Sequence, residues 1–185
     1  SPKGGAVPLD ERSLGWLYMD KPAREQLQSP AFRARLQHTL PIADVDPAQF
    51  RAIYFTGGHG VMWDFPGNLD LQRVAQTIYN QGGIVSAVCH GVAGLLDLKD
   101  EQGNAIIKGK NITGFSNREE LLSGMKREVP FLLEDRLLSQ GARYRKGWVP
   151  FTSFVITDGR LITGQNPQSP KAVALAVITE LSHER

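Results

Sequence analysis

The sequence predicts an α/β fold built on a parallel sheet. Two short runs of β-prone residues, Ala52-Ile53-Tyr54-Phe55 and Ile84-Val85-Ser86-Ala87-Val88, flank an amphipathic segment with Leu69, Val74, Ala75 and Ile78 at helical spacing. Strand, helix, strand with short joints is the pattern of a right-handed crossover between parallel strands. Both runs are continuously apolar rather than alternating, as strands covered on both faces require, so both are expected in the sheet interior. The 185 residues, 41% apolar and 22% charged, fit a single domain over 1–185 with a sizeable core.

The other elements follow in chain order. Residues 4–19, rich in Gly, Pro and polar side chains, read as a surface loop with turns at Gly4-Gly5 and near Pro8. Phe32, Leu36 and Leu40 recur at helical spacing behind Ser29-Pro30, which predicts a helix from Pro30 to Leu40. Asp46-Pro47 introduces a short approach to Phe50, and the helix over Leu69–Ile78 is expected to stop at Gly82-Gly83. Val92, Leu95 and Leu96 continue a helical stripe after the second strand. Ala105-Ile106-Ile107 and Asn111-Ile112-Thr113 are two β-prone pieces, and the Lys108-Gly109-Lys110 bracket between them reads as a solvated turn. Helices are expected over 117–122 and 130–138, the second burying an edge of Phe131, Leu132, Asp135 and Leu138. Phe154-Val155-Ile156 and Leu161-Ile162-Thr163 about Asp158-Gly159 predict a hairpin, and Ser169-Pro170 opens a last helix carrying Val173, Ala176, Val177 and Leu181.

Composition excludes several classes of function. Lys plus Arg number 21 against 19 for Asp plus Glu, and the basic residues are scattered, so nucleic acid is not an implied partner. The one cysteine, Cys89, rules out an internal disulfide and a cysteine-rich zinc site, and suits a reducing, cytoplasmic setting. No apolar run approaches the ~20 residues of a membrane span, and Ser1-Pro2-Lys3-Gly4-Gly5 lacks the apolar core of a signal peptide. A protein without membrane association is expected. The chain opens without methionine, in what reads as a turn, so a preceding segment is expected to have been removed.

Ala87-Val88-Cys89-His90-Gly91 places a thiol where a buried strand stops and a helix begins. A side chain at such a turn is pushed out of the sheet beside free helical N–H groups, which favours an accessible thiolate. The alternative is an ordinary core thiol. Gly57-Gly58-His59-Gly60 ends the other strand, at the sheet edge where open α/β folds hold ligands. Paired glycines let backbone N–H groups approach a substrate oxygen, suiting an oxyanion hole shared with the N–H of Cys89 or His90; a tight turn without ligand is the alternative. An unperturbed thiol with pKa near ~8.5 needs a base at neutral pH. His90 is adjacent, and Asn117-Arg118-Glu119-Glu120 follows a strand that ends at the same edge. Acidic residues in a first helical turn are also ordinary partners of the helix dipole. His38, His59, His90 and His183 show no ligand spacing such as H-x-x-x-H, so no metal is expected.

Thr56-Gly57-Gly58-His59-Gly60, Met62-Trp63-Asp64-Phe65-Pro66, Ala87-Val88-Cys89-His90-Gly91, Ile112-Thr113-Gly114-Phe115 and the stretch from Asp158 to Pro167 together resemble the ThiJ/PfpI superfamily. The likeness is to its branch of heat-shock chaperones and glutathione-independent glyoxalases. It implies a flavodoxin-like three-layer α/β sandwich, usually dimeric, with a mostly parallel central sheet. It also implies catalytic roles for Cys89 as nucleophile, His90 as its partner and Glu120 as the acid, with Glu119 the alternative. Gly57, Gly58, His59 and Trp63 take the oxyanion and substrate-binding side, and Gly58 and His90 offer N–H groups. The family's glutamate of the first strand-to-helix region precedes Ser1, so this chain is expected to lack that residue and the sheet's first strand. Val92 stands where relatives commonly have proline.

The resemblance implies conversion of methylglyoxal or a similar 2-oxoaldehyde to a 2-hydroxy acid, a glyoxalase III-like lyase reaction without glutathione, metal or cofactor. A stress-related holdase that covers unfolded proteins, or a protein deglycase, is the alternative. Holdase activity predicts that Cys89→Ser still suppresses aggregation. Amidase or peptidase chemistry ranks last, because glutaminase relatives use a distant H-x-E whereas His183 and Glu184 are adjacent. An exposed low-pKa thiol would also oxidise readily, which implies stress sensing.

Overall fold

A computed structural model describes residues 1–15 and 19–183. The chain forms two compact units, Ser1–Val45 and Asp46–Arg185.

In the first unit, β1 (Lys3–Gly5) pairs antiparallel with β2 (Thr39–Pro41), Lys3 facing Pro41 and Gly5 facing Thr39. The Thr39 hydroxyl donates to Gly5 O at 2.7 Å. Gly4-Gly5, expected as a turn, is therefore a strand. Helix α1 (Lys21–Gln28) starts at Asp20, whose carboxylate accepts the Ala23 amide at 2.9 Å, with a proline in the first helical positions. Pro30 cannot extend it, lacking an N–H, and instead opens α2 (Pro30–Gln37). That helix is shorter than its apolar spacing predicts, because Leu40 belongs to β2 and is 71% exposed. Of the expected 4–19 loop, residues 11–14 form a single 3-10 turn and 16–18 lie outside the described residues.

The second unit holds the sheet. Strands β3 (Ala52–Phe55) and β4 (Ile84–Val88) are parallel and joined by a short α3 (Val61–Asp64) and the longer α4 (Leu69–Asn80). The Asn68 side chain caps α4 by accepting the Leu71 amide at 3.0 Å. Leu71, Val74, Ala75 and Ile78 form its buried stripe, and the helix packs against β3 and β4. Further on lie β5 (Asn111–Ile112), α5 (Asn117–Leu122), α6 (Leu133–Ser139) and β6 (Arg143–Tyr144), with β5 and β6 parallel. The hairpin β7 (Val155–Asp158) and β8 (Leu161–Gly164) follows, then α7 (Pro170–His183). The main sheet has the order β3-β4-β8-β7, parallel except for the hairpin pair. β8 is covered on both faces: a Cβ at Gly164 would meet Val173 and Ser169, at the start of α7, while Thr163 on the other face accepts the Thr113 amide at 3.0 Å.

Three expectations need correction. Among the described residues β3 stands at the edge of this sheet rather than in its interior, with Ala52, Ile53 and Tyr54 half-buried and Phe55 buried. Ala105 makes only an isolated antiparallel bridge with Lys99, and residues 106–109 form turns, with Lys108 N bonded to Ala105 O and Lys110 N to Ile107 O. Ile106 and Ile107 are core residues that do not belong to a strand. In α6 the buried edge is Leu133, Glu134 and Leu137, while Leu138 is 50% exposed. Glu134 turns inward because its carboxylate accepts the Asn117 amide (2.8 Å) and Lys146 Nζ (2.6 Å).

The Lys108–Lys110 turn has a structural partner. Asp158, at the end of β7, accepts Lys110 Nζ (3.2 Å), Asn111 N (2.8 Å) and Asn111 Nδ2 (2.9 Å), tying β5 to the hairpin. Those contacts, the Asn111 amide first, hold the Asp158 carboxyl below its ordinary value of 3.8. Replacing Asp158 with Ala is expected to cost about 1–2 kcal/mol in urea denaturation at neutral pH. A depressed carboxyl stabilises above its unfolded pKa and loses that contribution as pH falls through the folded one, so the difference from wild type should shrink only below about pH 4.

Candidate active site

The site lies at the carboxyl ends of β3 and β4. After Val88, in extended backbone, the chain turns at Cys89 with φ = 58° and enters a 3-10 helix over Cys89–Leu95. Left-handed backbone at a residue with a Cβ costs about 1–3 kcal/mol and lasts only where neighbours enforce it. Two glycines do so by close approach. A Cβ at Gly57 would lie 2.8 Å from Cys89 Cβ and 2.9 Å from Val88 O, and one at Gly91 would lie 2.4 Å from Phe55 O. The loop after β3 and the turn after β4 touch only because both positions lack a side chain.

This turn places Cys89 Sγ 3.4 Å from His90 Nδ1. The opposite nitrogen, His90 Nε2, lies 2.7 Å from Glu120 Oε2. Glu120 also holds His59, with Nε2 at 2.9 Å from Oε1. The two imidazoles stack with centroids 4.1 Å apart, and Phe115 covers His90 at 4.3 Å. Cys89, His90 and Glu120 are 7%, 1% and 2% exposed. The backbone amides of His90 and Gly58 both donate to the sulfur.

Electrostatics follow from that burial. Burial pushes the Cys89 thiol up to about 12, against the pull of the His90 and Gly58 amides. The expectation of a preformed, accessible thiolate is thus overturned: desolvation outweighs the amides and the start of a short helix. The resting group is a neutral buried thiol, which also removes the premise of ready oxidation. Burial lowers the His90 imidazole despite its bond to Glu120, so it is neutral at neutral pH. Burial works against charge on Glu120 too, but the bonds from His59 and His90 outweigh it and hold the carboxyl at about 2. An ionised Glu120 accepts Nε2–H from His90, leaving Nδ1 as the acceptor facing the thiol.

The adjacent carboxylates have separate surroundings. Glu119 closes a capping box with Ser116: the Ser116 hydroxyl accepts the Glu119 amide, and the Glu119 carboxylate accepts the Ser116 amide and hydroxyl. The same carboxylate accepts Phe151 N (2.8 Å), Gln165 Nε2 (2.9 Å) and Asn166 Nδ2 (2.9 Å). Although burial opposes ionisation, these donors, the Phe151 amide first, keep Glu119 below its usual range. Glu119 therefore fixes the start of α5 and the segments around 151 and 165, and Glu120 meets the imidazoles.

Gly57 packs against Cys89, the Gly58 amide reaches its sulfur, and His59 meets Glu120. Trp63 lies on α3, 56% exposed, and takes no part in the hydrogen bonds or ring stacks above. His183 is at the exposed end of α7 and Glu184 lies outside the described residues. Sequence reasoning missed Ser123, whose hydroxyl reaches Glu120 O at 2.9 Å and Oε1 at 3.4 Å, and the cover given by Phe115. Position Ser123, three residues after Glu120 on one helix face, was the available signal.

A cysteine on a strand-to-helix turn of a parallel sheet, backed by imidazole and carboxylate, defines a class of α/β proteins. Residues 24–180 match the DJ-1/PfpI family, and the chain belongs to it. It is 39% identical to "Glyoxalase 3" of Candida albicans over 80% of this chain and 64% of that one. It is 38% identical to a glutathione-independent glyoxalase of Saccharomyces cerevisiae over 76% of this chain and 61% of that one. The crystal structure of glyoxalase III from Candida albicans superposes with a TM-score of 0.86 at 34% identity, covering 96% of this chain and 77% of that one. The sheet and helices are thus those of the flavodoxin-like DJ-1/PfpI fold. The chain spans about three fifths of the length of these curated relatives.

Two outcomes are expected. The rate of Cys89 alkylation by iodoacetamide should rise continuously between about pH 6 and 10, because the thiol is neutral throughout that range; a plateau near neutrality would show a thiolate already present. Glu119→Ala should lower unfolding free energy by about 3 kcal/mol in chemical denaturation, since it strands several buried donors.

Proposed function

We propose that this protein is a cysteine-dependent glyoxalase of the glyoxalase III type, converting methylglyoxal or a similar 2-oxoaldehyde to a 2-hydroxy acid with water as the sole co-reactant. The observation that carries the reading is the line from Cys89 Sγ through His90 to Glu120, 3.4 Å and 2.7 Å in its two steps. The names of the relatives supply the substrate class.

As Sγ bonds to the aldehyde carbon, the thiol proton passes to His90 Nδ1. Glu120 stabilises the imidazolium through Nε2–H, and the amides of Gly58 and His90 face the developing oxyanion. Return of the proton gives a hemithioacetal. The proton on that carbon then moves to the neighbouring carbonyl carbon through an enediol, leaving a 2-hydroxyacyl thioester on Cys89. Water attacks the thioester, the carbon–sulfur bond breaks, and the thiolate recovers a proton from His90. One aldehyde and one water become one 2-hydroxy acid.

A reducing, cytoplasmic location suits a single thiol that must stay reduced; among the described residues no helix is long and apolar enough to cross a membrane. A homodimer is the assembly proposed, and Leu175 and Ile178 on α7, 54% and 59% exposed, supply apolar surface for it.

Purified protein should form lactate from methylglyoxal without added thiol, and Cys89→Ala should abolish this. His90→Gln and Glu120→Gln should lower kcat by about 10²–10⁴-fold. Because burial lowers the His90 imidazole, kcat/KM should decline on the acid side only below about pH 6.5, where His90 gains a proton and can no longer accept one. Lactate formation that survives Cys89→Ala would overturn the reading.

A further inference from the structure

His59, His90 and Glu120 are far apart in sequence, yet each offers one ligand atom to a group whose three atoms all lie within 4.8 Å of one another. Both Nε2 atoms face one carboxylate, at 2.9 Å and 2.7 Å from its two oxygens. Two imidazoles and a carboxylate with a further position open is a donor set that suits Zn²⁺, with metal–nitrogen and metal–oxygen bonds of about 2.0–2.2 Å. Ligand atoms of a tetrahedral site stand about 3.2–3.5 Å apart, so each Nε2 must draw back slightly from its own carboxylate oxygen, and the three ligand atoms, within 4.8 Å of one another, must converge on one ion. The surroundings supply what such a site needs. Ser123 Oγ reaches the carboxylate at 3.4 Å, and His59, 23% exposed at its side chain, gives access from solvent to a cluster otherwise buried. Spacing along the chain conceals this set because the ligands come from three separate segments.

We propose that His59, Glu120 and His90 form a binding site for a divalent transition-metal ion, Zn²⁺ foremost, that inhibits the enzyme. The inhibitory consequence rests on the glyoxalase reading; the binding does not. A metal on His90 Nε2 takes the lone pair of a ring that still carries one proton, and that proton must then sit on Nδ1. Nδ1 faces Cys89 Sγ at 3.4 Å. It becomes a donor to the sulfur and can no longer accept the thiol proton. Glu120, committed to the metal, no longer stabilises an imidazolium. One ion thus disables the base without touching the sulfur.

Isothermal titration with ZnCl₂ at neutral pH, on metal-free protein, tests the site. One ion per chain is expected for wild type and, with similar affinity, for Cys89→Ser, which keeps all three ligands. His59→Ala, His59→Gln and Glu120→Gln should each weaken binding by at least about tenfold while far-UV circular dichroism stays native. Absence of binding to wild type, undiminished binding in the folded His59 variants, or loss of binding in Cys89→Ser would each overturn the assignment. In parallel, Zn²⁺ should stop lactate formation by wild type and a chelator should restore it; full activity with the ion bound would overturn the inhibitory role. If wild type forms no lactate at all, the glyoxalase reading falls, while the isotherms still decide the site.

Discussion

The shared hydrogen bonding of Glu120 is the interaction on which this centre depends. A carboxylate buried to 2% exposure is costly to ionise, and it stays ionised because two stacked imidazoles each direct an N–H at one of its oxygens. That single charge sets the tautomer of His90, and the tautomer decides whether the sulfur faces a proton acceptor or a donor. A neutral Glu120 would leave nothing to select Nε2–H over Nδ1–H, and Cys89 would be an inert core thiol.

The rest of the unit holds this arrangement in place. Packing at Gly57 and Gly91 brings the edges of β3 and β4 together and forces Cys89 into left-handed backbone. Glu119 secures α5 through Ser116 and binds the segments around Phe151 and Asn166, so that the next residue meets the imidazoles. Neighbouring carboxylates therefore divide the work: one is fastened by amides and hydroxyls, the other by bases. The environment, more than the residue type, makes only one of them a partner for proton transfer.

Much of this was legible in the residues. The α4 stripe, the β4 run ending at Cys89, the α5 limits and the β7–β8 hairpin follow from periodicity, caps and turn chemistry. Ser116-x-x-Glu119 is a capping-box pattern, and read as one it separates Glu119 from Glu120 without coordinates. Other features had no local signal. Ile106 and Ile107 are apolar because they fill the core, and a β-prone pair cannot say whether it lies in a strand or a turn. The charge state of Cys89 depends on how much solvent the surrounding layers exclude, which no window of sequence reports. The meeting of His59 with His90 depends on β3 and β4 being neighbours, so histidine spacing alone misses it.

The most direct measurement is nitrogen-15 NMR of the His90 ring in the resting protein, with Cys89 reduced. A neutral imidazole is expected at neutral pH, protonated at Nε2 and bare at Nδ1. An imidazolium at that pH, as a thiolate–imidazolium pair would give, or a proton resident on Nδ1, would contradict it.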